Sequence, residues 1–157
     1  MAAMAEPVEV SVDVAAAPSA LYAMVSDVTR MHEWSPENVA CSWNGGASGP
    51  TVGARFSGRN RRGWRRWSTV NEVVEAQPGA VFAFRTSSMG LPVAEWRYRF
   101  ADDEDGGTTV TESWTDQRGT LISVLGRLAT GVGDRAVHNR ESMRQTLAAL
   151  KAAAEAG

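Results

Sequence analysis

The chain has 157 residues, 43% of them hydrophobic and 22% charged, with a formal charge of -2. This composition excludes disorder along most of the length, and one domain of this size, spanning 1–157, can bury roughly 70% of its unfolded surface. The slightly acidic balance removes any global electrostatic case for nucleic acid, and Cys41, the only cysteine, allows neither an internal disulfide nor a thiolate metal site. From Val8 the valines at 8, 10, 12 and 14 share one parity against Glu9, Ser11 and Asp13, which predicts a half-buried strand. Pro18-Ser19 then opens a helix with Leu21, Met24, Val25 and Val28 at helical spacing, and a second short helix over Val28 to Trp34 is stopped by Ser35-Pro36. Val39, Cys41 and Trp43 share a parity and predict a strand that ends in the turn-rich run Asn44 to Pro50.

Further strands are expected over Ala54 to Asn60, Trp64 to Glu75, Val81 to Thr86, Val93 to Phe100 and Thr108 to Thr115, broken at Gly63, Pro78-Gly79, Gly90-Leu91-Pro92 and Asp105-Gly106-Gly107. Such short connections favour an antiparallel meander over parallel βαβ units. After Gln117 the apolar positions Leu121, Ile122, Val124, Leu125, Leu128 and Val132, then Ala136, Met143, Leu147 and Leu150, recur at helical spacing. One long helix accounts for them, ending near Ala154, broken near Gly131 to Gly133 and leaving Lys151 exposed. The expected class is α+β, with seven strands and two short helices after the first.

That order, together with V-x-V-x-V before Pro18, the stretch Asp27 to Glu37, Trp67, Trp96-Arg97-Tyr98-Arg99-Phe100 and Gly107 to Trp114, resembles the polyketide cyclase/dehydrase family of the START-like (Bet v 1-like, SRPBCC) superfamily. The resemblance implies a helix-grip fold, in which an antiparallel sheet curves around the C-terminal helix and encloses a cavity for a hydrophobic molecule. It implies no universal catalytic motif, so the reaction has to be argued from the site.

Polar residues on buried parities are the candidates for that site. Ala94, Trp96, Tyr98 and Phe100 form one face of their strand, and Thr108, Val110, Glu112 and Trp114 one face of the next. Glu112 is thereby set between apolar neighbours, where a carboxyl has a raised pKa unless it is paired. It can serve as an acid or base in enolisation or dehydration, with Tyr98 and an arginine, or bind a ligand hydroxyl; alternatively it pairs with an arginine of a neighbouring strand or the helix. Asn139 shares the stripe of Met143, either reaching a ligand or bridging within the core. Trp67, Trp96 and Trp114 fit either core filling or the wall of a pocket for an aromatic molecule. The predicted ligand-binding set is Trp67, Trp96, Tyr98, Glu112, Trp114, Asn139 and Met143, with Glu112 and Tyr98 as the catalytic candidates.

His32, Glu33 and Glu37 are better read as a surface helix than as a metal cluster. No G-x-S-x-G, Walker loop or G-x-G-x-x-G is present, and no cofactor or metal is expected. Between Glu37 and Glu72 there is no acid but six arginines, five of them within Arg59 to Arg66 together with Trp64, whereas Asp102 to Asp105 is an acidic run. These segments read as two solvated hairpin tips, or the first as a basic docking surface for an acidic partner. The lone cysteine, a start without basic or long apolar segments and the lack of roughly 20 consecutive apolar residues lead to the expectation of a cytoplasmic protein without a membrane span. The preference for arginine over lysine, with Lys151 the only lysine, fits a GC-rich bacterial genome. Three functions are thus open: a carrier or sensor of an apolar molecule, a cofactor-independent cyclase, aromatase or dehydratase, and an interaction protein using the arginine hairpin.

Overall fold

The alternating valines form β1 (Val8–Val14), after which Pro18 occupies the first turn of α1 (Pro18–Ser26). Leu21, Tyr22 and Val25 of α1 are buried. The computed structural model describes residues 6–119, 127–129, 131 and 134–156. The segment expected as a second helix is a 3-10 helix, Val28–Glu33, started by Asp27, whose Oδ1 accepts from Thr29 N at 3.2 Å. The remaining strands are β2 (Asn38–Trp43), β3 (Arg55–Arg62), β4 (Arg65–Gln77), β5 (Val81–Ser88), β6 (Leu91–Asp102) and β7 (Thr108–Asp116), and the chain ends in α2 (Arg135–Ala156).

All seven strands belong to one antiparallel sheet, in the order β1-β7-β6-β5-β4-β3-β2. The fold is therefore the seven-stranded helix-grip arrangement. Between the sheet, α1 and the C-terminal half of α2 lies a solid core that includes Leu21, Phe56, Phe82, Phe100, Val110, Leu147 and Leu150. Beside it Val8, Ala94, Trp114 and Met143 form a second, smaller cluster. The cavity lies on this side of the molecule, lined by Ala94, Trp114 and Met143.

Several local expectations are corrected. Val39 is exposed although Cys41 on the same expected parity is buried, because a bulge between Asn38 and Ala40 shifts the register of β2. Leu91 and Pro92 belong to β6, and the break before them is a tight turn with Met89 and Gly90 both at positive φ (53° and 77°), the backbone of a type I′ hairpin. Pro92 is tolerated because it sits at a register shift and beyond the point where β7 begins pairing with β6, at Ala94. On α2 the buried stripe is Asn139, Met143, Thr146, Leu147 and Leu150, while Ala136 is exposed. Lys151 is only half-exposed, since its Nζ donates to the carbonyl oxygen of Asp13 at 2.7 Å. Of the apolar positions expected before α2, Leu121, Ile122, Val124, Leu125 and Val132 lie outside the described residues, and Leu128 is exposed.

Candidate functional site in the cavity between sheet and helix

A cavity of about 230 Å³ lies between the concave face of the sheet and the N-terminal half of α2. Trp67 of β4, Trp96 and Tyr98 of β6, Glu112 and Trp114 of β7, and Asn139 and Met143 of α2 all line it. The sheet register sets the spacing of the wall, because Trp96 stands opposite Trp114 and Tyr98 opposite Glu112 on adjacent strands. The two indoles lie 6.5 Å apart between centroids at 48°, within the range of favourable aromatic contact.

Glu112 is 2% exposed. Its Oε1 accepts from the Tyr98 hydroxyl at 2.9 Å, and its Oε2 is buried without a partner among the described residues. Among the described residues no arginine pairs with it. Burial raises the carboxyl from its ordinary 4.5 to about 8, the Tyr98 bond opposing that rise. Burial, then the neighbouring carboxyl, likewise pushes the Tyr98 hydroxyl well above its usual range. Near neutral pH the side chain is therefore mostly a carboxylic acid. With Oε1 engaged by Tyr98, Oε2 is the oxygen left for a group in the cavity.

Two further polar groups of the lining, Asn71 and Thr86, were not anticipated from the sequence. Thr86 Oγ1 donates to Asn71 Oδ1 at 2.7 Å, and Asn71 Nδ2 donates to the Phe56 carbonyl oxygen at 3.3 Å. The pair is thus largely self-satisfied. Asn71 shares its strand parity with Trp67, which was the available signal.

At the rim, Arg135 Nη1 donates to Glu37 Oε1 at 2.8 Å and to Asn139 Oδ1 at 3.4 Å. Asn139 is thereby oriented by Arg135. Burial lowers the Arg135 pKa, helped by like charge on Arg118 and Arg62 and opposed by Glu37. Arg118 is held by both oxygens of Asp116 at 2.9 Å. Of the three residues weighed as a metal cluster, His32 is exposed, Glu33 pairs with Arg30 and Glu37 with Arg135. Among the described residues no group of three His, Cys, Asp or Glu side chains is placed to hold a metal ion.

Known proteins resemble this chain over nearly its whole length. A polyketide cyclase-like protein of Corynebacterium glutamicum is 33% identical, covering 92% of this chain and 88% of its own, with a TM-score of 0.56. The di-domain ARO/CYC protein StfQ of the steffimycin biosynthetic pathway has a TM-score of 0.69 at 15% identity, over 97% of this chain and 52% of its own. The major latex-like protein 151 of Panax ginseng has a TM-score of 0.68 at 12% identity, over 97% and 99%. These last two share the fold. No curated protein is significantly similar in sequence. The family model described as polyketide cyclase/dehydrase and lipid transport matches residues 6–155, and the chain belongs to that family.

Proposed function

We propose that the chain acts as one domain that binds a hydrophobic, aromatic or polyketide-like molecule in the cavity between sheet and α2. The observation that carries this reading is an aromatic wall that holds the buried Glu112 carboxyl with one oxygen left free, in a mostly apolar site with a few polar groups. The volume of about 230 Å³ falls just under the roughly 300–1,000 Å³ typical of drug-sized ligands. It suits a compact ring system or one end of a longer chain. The neutral Glu112 selects an acceptor there, such as a carbonyl or phenolic oxygen.

Titration with 1-naphthol tests the reading. Saturable quenching of tryptophan emission is expected, and Trp96→Ala should weaken binding by on the order of 1–3 kcal/mol, the scale of one large buried contact. Absence of saturable binding would sink it.

A second reading, cofactor-independent cyclisation or dehydration, is favoured by the Glu112 pKa of about 8, since a proton donor and acceptor works best when its pKa lies near the working pH. Here Glu112 gives its proton to a ligand carbonyl oxygen and the carboxylate so formed takes the proton that leaves the α carbon, so the enol forms with Glu112 restored, while Tyr98 fixes the carboxyl. Glu112→Gln separates the two readings. A carrier keeps its function, whereas an enzyme retains binding and loses turnover by roughly 10²–10⁴-fold.

A further inference from the structure

The hairpin topology gathers several chain turns at the end of the molecule where the cavity opens. Arg62 pairs with Arg65 at the β3–β4 turn, Ser88 with Leu91 at the β5–β6 turn, and Asp116 at the end of β7 with Ala94 near the start of β6. Ser88 Oγ donates to the Ser68 carbonyl oxygen, which binds the two turns side by side. Met89, Ala129, Arg118 and Arg135 line the cavity at this end.

Large apolar side chains stand out into solvent at this end: on the two turns Trp64 is 80% exposed and Met89 79%, and on helical residues close to Ala129 and Arg135, Leu128 is 70% and Val137 68% exposed. A cationic group surrounds the first of them. Arg61, Arg62 and Arg66 are exposed, and the Arg65 guanidinium lies 4.3 Å from the Trp64 ring centroid. Among the described residues none of Arg59, Arg61, Arg62, Arg65 and Arg66 has an ion-pair partner, whereas Glu37 and Asp116 at the same end are each tied to an arginine. The opposite end carries the acidic turn Asp102 to Asp105. Glu141, in the same surface groove as Arg61 and Arg62, and Asp134 beside Arg135 offset part of this charge, but the arginines outnumber them, so the positive pole lies around the cavity mouth.

We infer that this end docks onto an anionic lipid surface, with Trp64 and Met89 inserted at headgroup depth and the hairpin arginines on the phosphates. Arginine beside tryptophan suits the bilayer interface, where an amphipathic ring and a delocalised cation meet both apolar chains and phosphate. The apolar side chains sit on separate tips around an opening. They do not form the continuous fitted face, on the order of 1,000 Å², that a specific protein partner needs. A deformable surface accepts such tips where a rigid one does not. Docking also brings the cavity mouth against the acyl chains, so an apolar ligand passes between them without crossing water. That route rests on the ligand-binding reading, but docking does not.

Sedimentation of the full chain with phosphatidylglycerol vesicles tests docking without reference to any cavity ligand. Binding to these vesicles but not to pure phosphatidylcholine is expected, weakening as salt is raised. Replacing Arg61, Arg62 and Arg66 together by serine should reduce partitioning on the order of 100-fold. Trp64→Ser should abolish the part of tryptophan quenching that brominated acyl chains produce, while circular dichroism stays unchanged. Equal binding by the triple serine variant overturns the proposal. So does indifference to phosphatidylglycerol combined with salt-sensitive binding of an acidic protein, which would assign the same tips to a protein partner. Failure of 1-naphthol to bind would leave docking intact and remove only the transfer route.

Discussion

At Glu112 burial and hydrogen bonding act in opposite senses, and burial prevails, taking the carboxyl from 4.5 to about 8. The folded state therefore holds a proton that the unfolded chain releases at lower pH. Its contribution to stability is fully present below about pH 4.5 and is lost as pH rises through about 8. Glu112→Gln keeps the shape and the acceptor for Tyr98 but cannot titrate. In denaturant titrations the wild type should lose on the order of a few kcal/mol relative to this variant between about pH 5 and about pH 9. Parallel profiles would show that the carboxyl ionises freely and that the acid reading of the site is wrong. Tyr98→Phe removes the one interaction that lowers the Glu112 pKa, so its titration midpoint, read by carboxyl carbon NMR, should move up.

Among the elements, regular pairing decided what the sequence could disclose. β6 and β7 run opposite one another without a register shift, so parity alone placed Trp96, Tyr98, Glu112 and Trp114 on one face. In β2 the bulge inverted the parity of Val39, and bulges leave little trace in an apolar pattern. Pro92 read as a break because a proline cannot donate to a ladder, and only the pairing of its neighbours shows that no donor was needed there. The Arg135–Glu37 pair joins residues far apart in the chain, so no local pattern discloses it. One close approach was also invisible: a Cβ on Gly107 would run into the Val14 carbonyl oxygen at the end of β1. The turn there is already fixed by Asp103 Oδ1, which accepts from Asp105 N and Gly107 N at 2.8 Å. Gly107→Ala should accordingly cost about 2 kcal/mol or more by thermal or chemical denaturation, and a neutral result would mean that β1 yields easily at this edge.

Taken whole, the molecule is anchored at one end and open at the other. Around the C-terminal half of α2, Leu147 and Leu150 are fully buried, Lys151 reaches the Asp13 carbonyl oxygen and Glu155 accepts from Ala15 N at 2.9 Å. The N-terminal half spans the cavity, held by Met143, Asn139 and the Arg135–Glu37 pair. The arginine tips lie beyond both, so replacing Arg61 and Arg62 by serine should leave the melting temperature nearly unchanged; Arg65 is excluded from that set because it is partly buried. An uneven foundation implies uneven local stability, since the amides that open most readily are those backed by fewest buried apolar contacts. Hydrogen exchange should therefore be slow over residues 143–151 and faster over 135–141. Saturating 1-naphthol should slow the second group alone, because the ligand supplies the packing that the empty cavity lacks. Glu37→Gln, which removes the charge facing Arg135, should speed exchange in those same N-terminal turns and leave the C-terminal half unaffected. Uniform exchange along α2, or a ligand effect confined to its C-terminal half, would show that the helix is supported evenly and that the cavity beneath its first turns is not where small molecules enter.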